Sequence, residues 1–461
     1  MNKFQSKENL PIFIKCINLF FASIIIFLIL VLFFAIFKIY SEPSGNLRIY
    51  IFFLIISLTG IVILIYSFRL QDSYKVNFAI IIFSLGISVY AFEIYLYVSN
   101  SIDFYNTDTR EYAAKKLGKE FDERSRLEVI DDLNDQGLET YPNYLPSMLI
   151  QSKKNILPIG QISNITTILN NEAGYYPVVQ TDEYGFINPK NLYKKKSKDI
   201  VIIGDSFAEG YSVQTNETIA YLLREQGYDL LNFARGNSGT LIQYAALKEY
   251  AQKYNPTIVL WFYYVNDIYD LEKEIKSEIL MNYLQDKNYN QNLMNKQEEI
   301  NLLLRSYLLE MKQRWTNDSI LNKDILKIIK LNFTRSFLSS FNKTEVIKNT
   351  NNSKDKALRE KIFQDIFIQS KKTIEDWGGQ LYFVYLPPFM RYIDGNEHEY
   401  RSFVFNFLQQ QKIHIIDIHS EVFESHPDPA SLCPLRRCGH YNSMGYKLIV
   451  DSILNELGRT K

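Results

Sequence analysis

Apolar residues are concentrated in the first hundred positions, where three long runs carry almost no charge. They cover roughly Ile17 to Phe37, Ile49 to Phe68 and Val76 to Val98. Each run has the ~20 apolar residues that a helix needs to cross a bilayer. The alternative is a cleaved signal peptide followed by core helices, but neither a small-residue cleavage site nor a clear amphipathic period is present. We therefore expect an N-terminal bundle of three transmembrane helices over 1–100.

The lysines and arginines that flank these runs predict the orientation of the chain. The N-terminal tail and the second loop together carry five of them and the first loop two, and cytoplasmic segments are the ones enriched in Lys and Arg. An odd number of spans then places everything after residue 100 outside the cytoplasmic membrane. Glu93 lies within the third run. It is either a functional carboxylate or a residue that packs at the interface or against a neighbouring helix.

From residue 199 onward, short apolar runs alternate with helical patterns. Several runs are nearly continuous, as in parallel strands that are buried on both faces. The predicted strands are Asp199–Gly204, Asp229–Phe233, Thr257–Tyr264, Gln380–Leu386 and His414–Ile418. The predicted helices are Thr218–Gln226, Leu241–Tyr254, Ala357–Trp377, Glu399–Gln411 and Ser443–Leu457. This alternation predicts an α/β sandwich with a parallel sheet and helices on both faces, over 199–461.

Two stretches depart from that alternation. Residues 101–198 are mixed and polar, and we expect a connecting region with some helix around Thr109 to Asn134. Between about 271 and 356 the alternation breaks, and a helical period appears around Glu298–Trp315. We interpret this part as a helical insertion that ends in a polar, Asn-rich loop from Lys343 to Lys354.

The charge of the chain argues against nucleic-acid binding, and its cysteines indicate an oxidising environment. The chain has 51 basic and 51 acidic residues, so no positive excess is available to neutralise nucleic-acid phosphates. Cys433 and Cys438 are five positions apart, and a disulfide between them suits an oxidising exterior. A reduced pair or a metal site is the alternative, but no further cysteine spacing supports zinc.

The first predicted strand ends in Gly204-Asp205-Ser206. A rigid strand followed by a turn of small residues displays a serine hydroxyl clear of the sheet. This is the placement that a nucleophile needs, so a serine hydrolase or acyl transferase is the first hypothesis. Asp205 is expected to hold the turn by hydrogen bonds to nearby backbone N–H groups rather than to react.

A nucleophilic serine needs a base and a site for the oxyanion. His440 stands out among the five histidines, which are His398, His414, His419, His426 and His440. It lies on a loop directly before the last helix, where Asn442 or Ser443 can form the cap, and this position is both fixed and exposed. The second predicted strand leads to Gly236 and Gly239, and the third to Asn266. Ser206, the two glycines and Asn266 thus follow three successive parallel strands, at the sheet edge where open α/β folds bind ligands.

These residues resemble the motifs of the SGNH, or GDSL, hydrolase superfamily, and in particular a membrane-anchored bacterial subset. The resemblance covers about 199–270 and 375–457. It implies a three-layer α/β/α flavodoxin-like domain in which Ser206 is the nucleophile and His440 the base. The oxyanion hole would consist of the Ser206 N–H, the Asn266 amide and the N–H of Gly239 or Gly236. The implied chemistry uses no cofactor or metal.

One position departs from the family pattern. The family usually has an Asp three residues before the His, and this chain has Arg437 there. Asp428 is the nearest upstream acid and would reach His440 if the loop folds back. Alternatively, Asp428 is a turn residue beside two prolines. Ser206 and His440 would then act as a dyad, with a backbone carbonyl holding the imidazole.

The sequence thus predicts a membrane-anchored serine esterase that hydrolyses O-acyl esters, in particular O-acetyl esters on envelope glycans, outside the cytoplasmic membrane. An O-acyltransferase that modifies a cell-surface polysaccharide is the alternative, and it would need a membrane partner to deliver the acyl group. A non-catalytic envelope scaffold is the third possibility, and only the missing Asp at position 437 favours it.

Overall fold

The chain divides into two compact units in this computed structural model. One unit holds 10–100 and 328–335, and the other holds 101–320 and 353–459. The structure describes residues 10–41, 47–106, 110–152, 154–320, 328–335, 353–389, 391–395 and 397–459.

The first unit is built from three long apolar helices. They are α1 (Leu10–Ser41), α2 (Leu47–Ser67) and α3 (Asp72–Asn106), the last of which continues past residue 100. Their stretches of 29, 18 and 26 residues have mean hydropathies of 3.3, 2.4 and 2.0, and most of their large apolar side chains face outward. Water does not favour so much exposed apolar surface, whereas a bilayer does. The three predicted apolar helices are therefore confirmed, and each is long enough to cross a membrane.

The core of the second unit is a five-stranded parallel sheet, as predicted. Its strands are β4 (Ile200–Ile203), β5 (Leu230–Asn232), β6 (Ile258–Tyr263), β7 (Gln380–Tyr385) and β8 (His414–Asp417). They lie side by side in the order β5-β4-β6-β7-β8, which is the flavodoxin-like order. β-Branched and aromatic residues fill these strands because both faces are covered.

Helices cover both faces of the sheet, so the predicted three-layer α/β/α architecture is confirmed. Alternate residues along β4 belong to different cores: Val201 and Ile203 face one layer, and Ile200 and Ile202 face the other. The helices of this unit that follow β4 are α6 (Ser206–Glu209), α7 (Ile219–Glu225), α8 (Thr240–Ala246), α9 (Asn266–Glu274), α10 (Glu278–Gln285), α11 (Gln297–Ile320), α12 (Ser353–Asp376), α13 (Arg391–Asp394), α14 (Arg401–Gln410) and α15 (Ser443–Arg459).

The region 101–198 is more ordered than the expected connecting region. It contains α4 (Arg110–Lys116), α5 (Arg126–Asp135) and a small sheet of β1 (Thr140–Pro142), β2 (Thr166–Ile168) and β3 (Val178–Gln180). The helix expected around Thr109 to Asn134 is present as two separate helices. Gly118 ends α4 at a φ of 64°, with the Lys119 N–H donating back to the Ala114 carbonyl, and Ser125 starts α5 with a capping box.

The insertion between β6 and β7 is only partly a helical block of the second unit. The predicted helix around Glu298–Trp315 is present as α11, and α10 precedes it. Residues 328–335 instead belong to the unit of apolar helices. The expected polar loop from 343 to 354 lies almost entirely outside the described residues.

Candidate active site

Ser206 stands at the carboxyl end of β4, on the first residue of the one-turn helix α6. Asp205 caps this turn, because its carboxylate accepts the Phe207 N–H at 3.0 Å. Gly204 is needed at the bend, since a Cβ there would lie 2.8 Å from the Cβ of Ala208 and 3.0 Å from that of Phe262. The strand and the tight turn together hold the partly exposed serine at the edge of the sheet.

His440 reaches Ser206 from the far end of the chain. Its Nε2 lies 2.8 Å from the Ser206 Oγ. The loop that carries His440 is closed by the Cys433–Cys438 disulfide, which confirms that prediction. Asn442 also anchors it, because its side chain accepts the Gly445 N–H at 3.0 Å and donates to the Ser431 carbonyl at 2.7 Å. The histidine is therefore held in place from both sides.

Two aromatic rings pack beside the imidazole. The Phe207 ring centroid is 4.6 Å from that of His440, and the Tyr211 centroid is 5.4 Å away. Phe207 in turn stacks on Tyr264 at 4.1 Å. These contacts restrict the rotation of the imidazole and keep Nε2 directed at the serine.

Glu172 orients the other nitrogen of the imidazole. Its Oε1 lies 3.0 Å from His440 Nδ1, while Arg110 Nη2 is 3.4 Å from Oε2. Burial raises the pKa of Glu172, but the hydrogen bond and the charge of His440, together with the charge of Arg110, outweigh burial and hold this pKa below its usual range. The carboxylate is therefore ionised at neutral pH. Ser206, His440 and Glu172 form one hydrogen-bonded line.

Glu172 comes from the region that the sequence presented as a connector. It sits in the loop between β2 and β3, and it is 268 residues away from His440 in the chain. The loop is tied down by Asn171, whose side chain donates to the Asp122 carbonyl at 2.8 Å and accepts the Gly174 N–H at 3.1 Å. No local pattern around Glu172 distinguishes it from the other acidic residues, so sequence reasoning missed it.

Asp428 does not take the place beside His440, so its assignment as the orienting acid is corrected in favour of the alternative, a turn residue apart from the site. Both of its carboxylate oxygens accept hydrogen bonds from Arg436, at 2.7 and 2.9 Å. About half of each side chain is exposed to solvent. Asp428 thus forms a surface ion pair in its own loop. The expected dyad with a backbone carbonyl is also replaced, because Glu172 occupies Nδ1.

Neither predicted glycine offers its N–H to a substrate. The Gly236 N–H donates to Glu209 Oε2 at 2.6 Å, and the Gly239 N–H donates to Glu274 Oε1 at 2.6 Å. Both glutamates are buried and need such donors, since an unsatisfied buried carboxylate is costly. The assignment of Gly236 or Gly239 to an oxyanion hole is corrected accordingly.

Asn266 begins α9 at the end of β6, next to the turn that carries the serine. Its amide donates to Asp270 Oδ2 at 3.1 Å. Its Oδ1 is buried and has no partner among the described residues. The Ser206 N–H, at the start of α6, is one of the helix N–H groups that lack an intrahelical acceptor. These two groups are the remaining candidate donors for an oxyanion.

The other histidines lie in contacts of their own. His398 contacts Tyr269, His414 contacts Glu456, His419 contacts Tyr392, and His426 accepts the Asp428 N–H. Within the described part of the chain, no group of three or more His, Cys, Asp or Glu side chains is arranged to hold a metal ion.

Comparisons with known proteins give limited similarity. No family model matches the chain, and no curated protein matches it. Among solved structures, TesA aligns with 56% of this chain and 97% of its own length, at 11% identity and a TM-score of 0.29. The psychrotrophic esterase EstA from Pseudoalteromonas sp., in a structure inhibited by monoethylphosphonate, aligns with 56% of this chain and 96% of its own length, at 13% identity and a TM-score of 0.25.

Proposed function

We propose that this protein is a membrane-anchored serine esterase that hydrolyses O-acyl esters, with O-acetyl groups on envelope glycans as the substrate class. The observation that carries the proposal is the line of hydrogen bonds from Ser206 through His440 to Glu172. A nucleophile bonded to a base, which is in turn oriented by a buried carboxylate, is the arrangement that activates a serine hydroxyl.

The reaction proceeds in two halves. Ser206 Oγ attacks the ester carbonyl carbon while His440 Nε2 takes the hydroxyl proton, and the Glu172 carboxylate stabilises the imidazolium that forms. The tetrahedral intermediate collapses to an acyl-serine, and the leaving alcohol takes the proton from His440. A water molecule then repeats the sequence, giving the carboxylic acid and the free serine. The Ser206 N–H and the Asn266 amide are the proposed donors to the oxyanion.

A covalent probe tests the proposal. The full chain in membranes should react with a fluorophosphonate, and Ser206→Ala should abolish the labelling. Ser197→Ala is the matched control, because Ser197 is an exposed loop serine away from the site, and it should label like the native chain. Labelling that survives in Ser206→Ala, or an unlabelled native chain together with an unchanged cellular phenotype of Ser206→Ala, would favour the non-catalytic scaffold.

Hydrolysis and transfer are separated by following the acetyl group. With an acetylated glycan as substrate, an esterase releases acetate at the same rate whether or not a second glycan is present as acceptor. An O-acyltransferase instead moves the group to that acceptor and slows when it is withheld. We expect release.

The exterior location of the catalytic unit is part of the proposal. The distribution of Lys and Arg around α1, α2 and α3 supports it, as does the Cys433–Cys438 disulfide, since such bonds persist in oxidising compartments. A reporter fused after residue 461 that is active only outside the cytoplasmic membrane would agree with this topology.

A further inference from the structure

Residues 328–335 lie against α3, although they follow it by more than two hundred positions. Tyr90 donates its hydroxyl to the Ile329 carbonyl at 3.2 Å, and the ring centroids of Tyr97 and Phe333 are 5.4 Å apart. Glu93 lies between these two tyrosines on the same face of the helix. The three side chains together form one docking face on α3.

Glu93 provides the strongest contact of that face. Its Oε1 accepts the Phe333 N–H at 2.8 Å, and its Oε2 accepts the Thr334 N–H at 2.6 Å. The side chain is fully buried within an apolar span, Asp72–Tyr97. A carboxylate at such a position is costly unless its oxygens are satisfied. The segment satisfies both of them, which explains why an acidic residue stands there.

The outer surface of the segment combines an apolar side chain with cations. Ile329 is 56% exposed, and Lys330 and Arg335 are exposed as well. Glu93 is four residues from the end of the span, or ~6 Å along the helix. That depth corresponds to the boundary between lipid headgroups and acyl chains, where apolar side chains insert and lysine and arginine reach the phosphates.

We propose that residues 328–335 are a second membrane attachment of this chain, an interfacial segment that binds lipid directly. Ile329 contacts acyl chains, Lys330 and Arg335 contact headgroup phosphates, and Glu93 holds the segment in place. Lipid is the occupant because the docking face belongs to a helix that is long and apolar enough to cross a membrane, and because the exposed side chains of the segment combine an apolar group with two cations. The proposal rests on the membrane-spanning role of α1–α3 and is independent of ester hydrolysis.

A fluorescent probe at position 329 tests the contact with lipid. The full chain carrying Cys16→Ser and Ile329→Cys is labelled with an environment-sensitive dye without reductant, so that the disulfide stays closed, and is reconstituted in vesicles of phosphatidylethanolamine and phosphatidylglycerol. We expect blue-shifted emission that is quenched by lipids with a spin label near the headgroup and protected from aqueous iodide.

The matched control is Leu302→Cys, labelled in the same way. Leu302 is 71% exposed on α11 of the other unit, and its dye should be quenched by iodide. If the dye at position 329 is quenched by iodide as readily as the control, the proposal is wrong. Protection from both quenchers would mean that protein, such as a second copy of the chain, covers the segment, and this also overturns it.

Substitution of Glu93 tests the anchor. Glu93→Ala removes both acceptors and should increase iodide quenching at position 329 severalfold, while Glu93→Gln, which keeps one acceptor oxygen, should lie between this variant and the native chain. Tyr95→Ala, on an exposed part of the same helix, should leave the signal unchanged. Equal quenching in Glu93→Ala, Glu93→Gln and the native chain would contradict the anchoring role. Fluorophosphonate labelling of Ser206 in the same samples reports on the esterase separately.

Discussion

At the scale of single residues, the site depends on Glu172, which belongs to no recognisable sequence motif. Glu172 is buried, ionised and paired with both His440 and Arg110. Ser206 and His440 could be identified because each stands in a recognisable local setting, a strand–turn and a helix-capping loop. Glu172 could not, because its role follows only from where a loop 268 residues away is packed.

Replacing Glu172 should impair catalysis much more than it impairs folding. Glu172→Gln keeps the shape of the side chain but removes the charge that stabilises the imidazolium and sets its tautomer. We expect kcat to fall by about 10²–10⁴-fold with little change in KM, measured by ester hydrolysis with purified protein. Asp428→Asn is the control and should stay within about twofold of the native rate, because exposed ion pairs contribute little. If Asp428→Asn lowered kcat more than Glu172→Gln, Asp428 rather than Glu172 would be the orienting acid.

Gly439 is the second residue whose role is visible only in three dimensions. A Cβ at this position would lie 2.7 Å from Glu172 Oε2 and 2.8 Å from Arg110 Nη2, directly against the ion pair. Gly439→Ala should therefore displace Glu172 and lower kcat by about tenfold or more, since misplacements of ~1 Å are costly in catalysis.

The matched control for that variant is Gly458→Ala. Gly458 is near the end of α15, and a Cβ there would meet no atom within 4 Å. We expect native activity and an unchanged or slightly higher melting temperature, because alanine favours the helix. Native activity in Gly439→Ala would show that the ion pair tolerates displacement.

At the scale of elements, alternation and turn residues predicted the parallel strands well. Apolar runs bounded by turns correspond to buried strands, and those patterns are local. The three short strands of the smaller sheet, β1 to β3, were not predicted, because three residues are too few to show a period. The helical content expected around 109–134 is divided between two helices, and the division depends on a glycine turn and a capping box.

The junctions after β4 and β6 bring two buried acids together. Asp205 caps α6, and Asp267, near the start of α9, accepts the Tyr264 N–H at 3.3 Å. Burial raises the pKa of Asp205 to about 6, and burial together with the charge of Asp205 raises the pKa of Asp267 well above its usual range. The folded state therefore holds protons that the unfolded chain has already released above its own pKa of about 4.

This linkage gives a defined dependence of stability on pH. A group with a raised pKa in the folded state stabilises fully below its unfolded pKa, and this contribution is lost as the pH rises through about 6 for Asp205. Asp267→Asn removes a carboxyl group that keeps its proton in the folded state, and it should flatten the fall in melting temperature between about pH 4.5 and 7.5. Thermal unfolding across that pH range measures how the melting temperature changes with pH, and Asp428→Asn is the surface control. A slope as steep as that of the native chain would show that the folded state does not hold an extra proton on Asp267.

At the scale of the whole molecule, the sequence connects the unit of apolar helices to the α/β unit in two places. The first is the continuation of α3 past residue 100, and the second is the insertion that contributes 328–335. The segment before the sheet is part of the α/β unit and supplies Glu172 and Arg110. A fragment that starts at residue 199 would therefore lack the acid that orients His440.

The topology makes a prediction about the disulfide in the living cell. If the catalytic unit lies outside the cytoplasmic membrane, Cys433 and Cys438 should be oxidised there, and a maleimide should label them only after reduction. Cys16, which is exposed on α1, is the internal reference for a free thiol. Labelling of Cys433 and Cys438 without reductant would indicate a reducing compartment.

Loss of that bond should also loosen the loop that carries His440. Removing such a short cross-link costs about 2 kcal/mol in the chain-entropy estimate. Cys433→Ser with Cys438→Ser should therefore lower the melting temperature of the catalytic unit and reduce kcat, measured without reductant beside the native chain. Unchanged activity would mean that Asn442 alone holds the loop.

The sequence by itself determined the apolar helices, the five strands of the parallel sheet, the displayed Ser206 and the loop histidine His440, because periodicity and turn chemistry are properties of neighbouring residues. The tertiary structure alone decided that Glu172 orients His440, that Gly236 and Gly239 serve buried glutamates, and that Glu93 holds residues 328–335. Each of these pairings joins polar groups that burial forces to find partners. Which partner each one finds depends on how distant segments pack, and no local pattern encodes that.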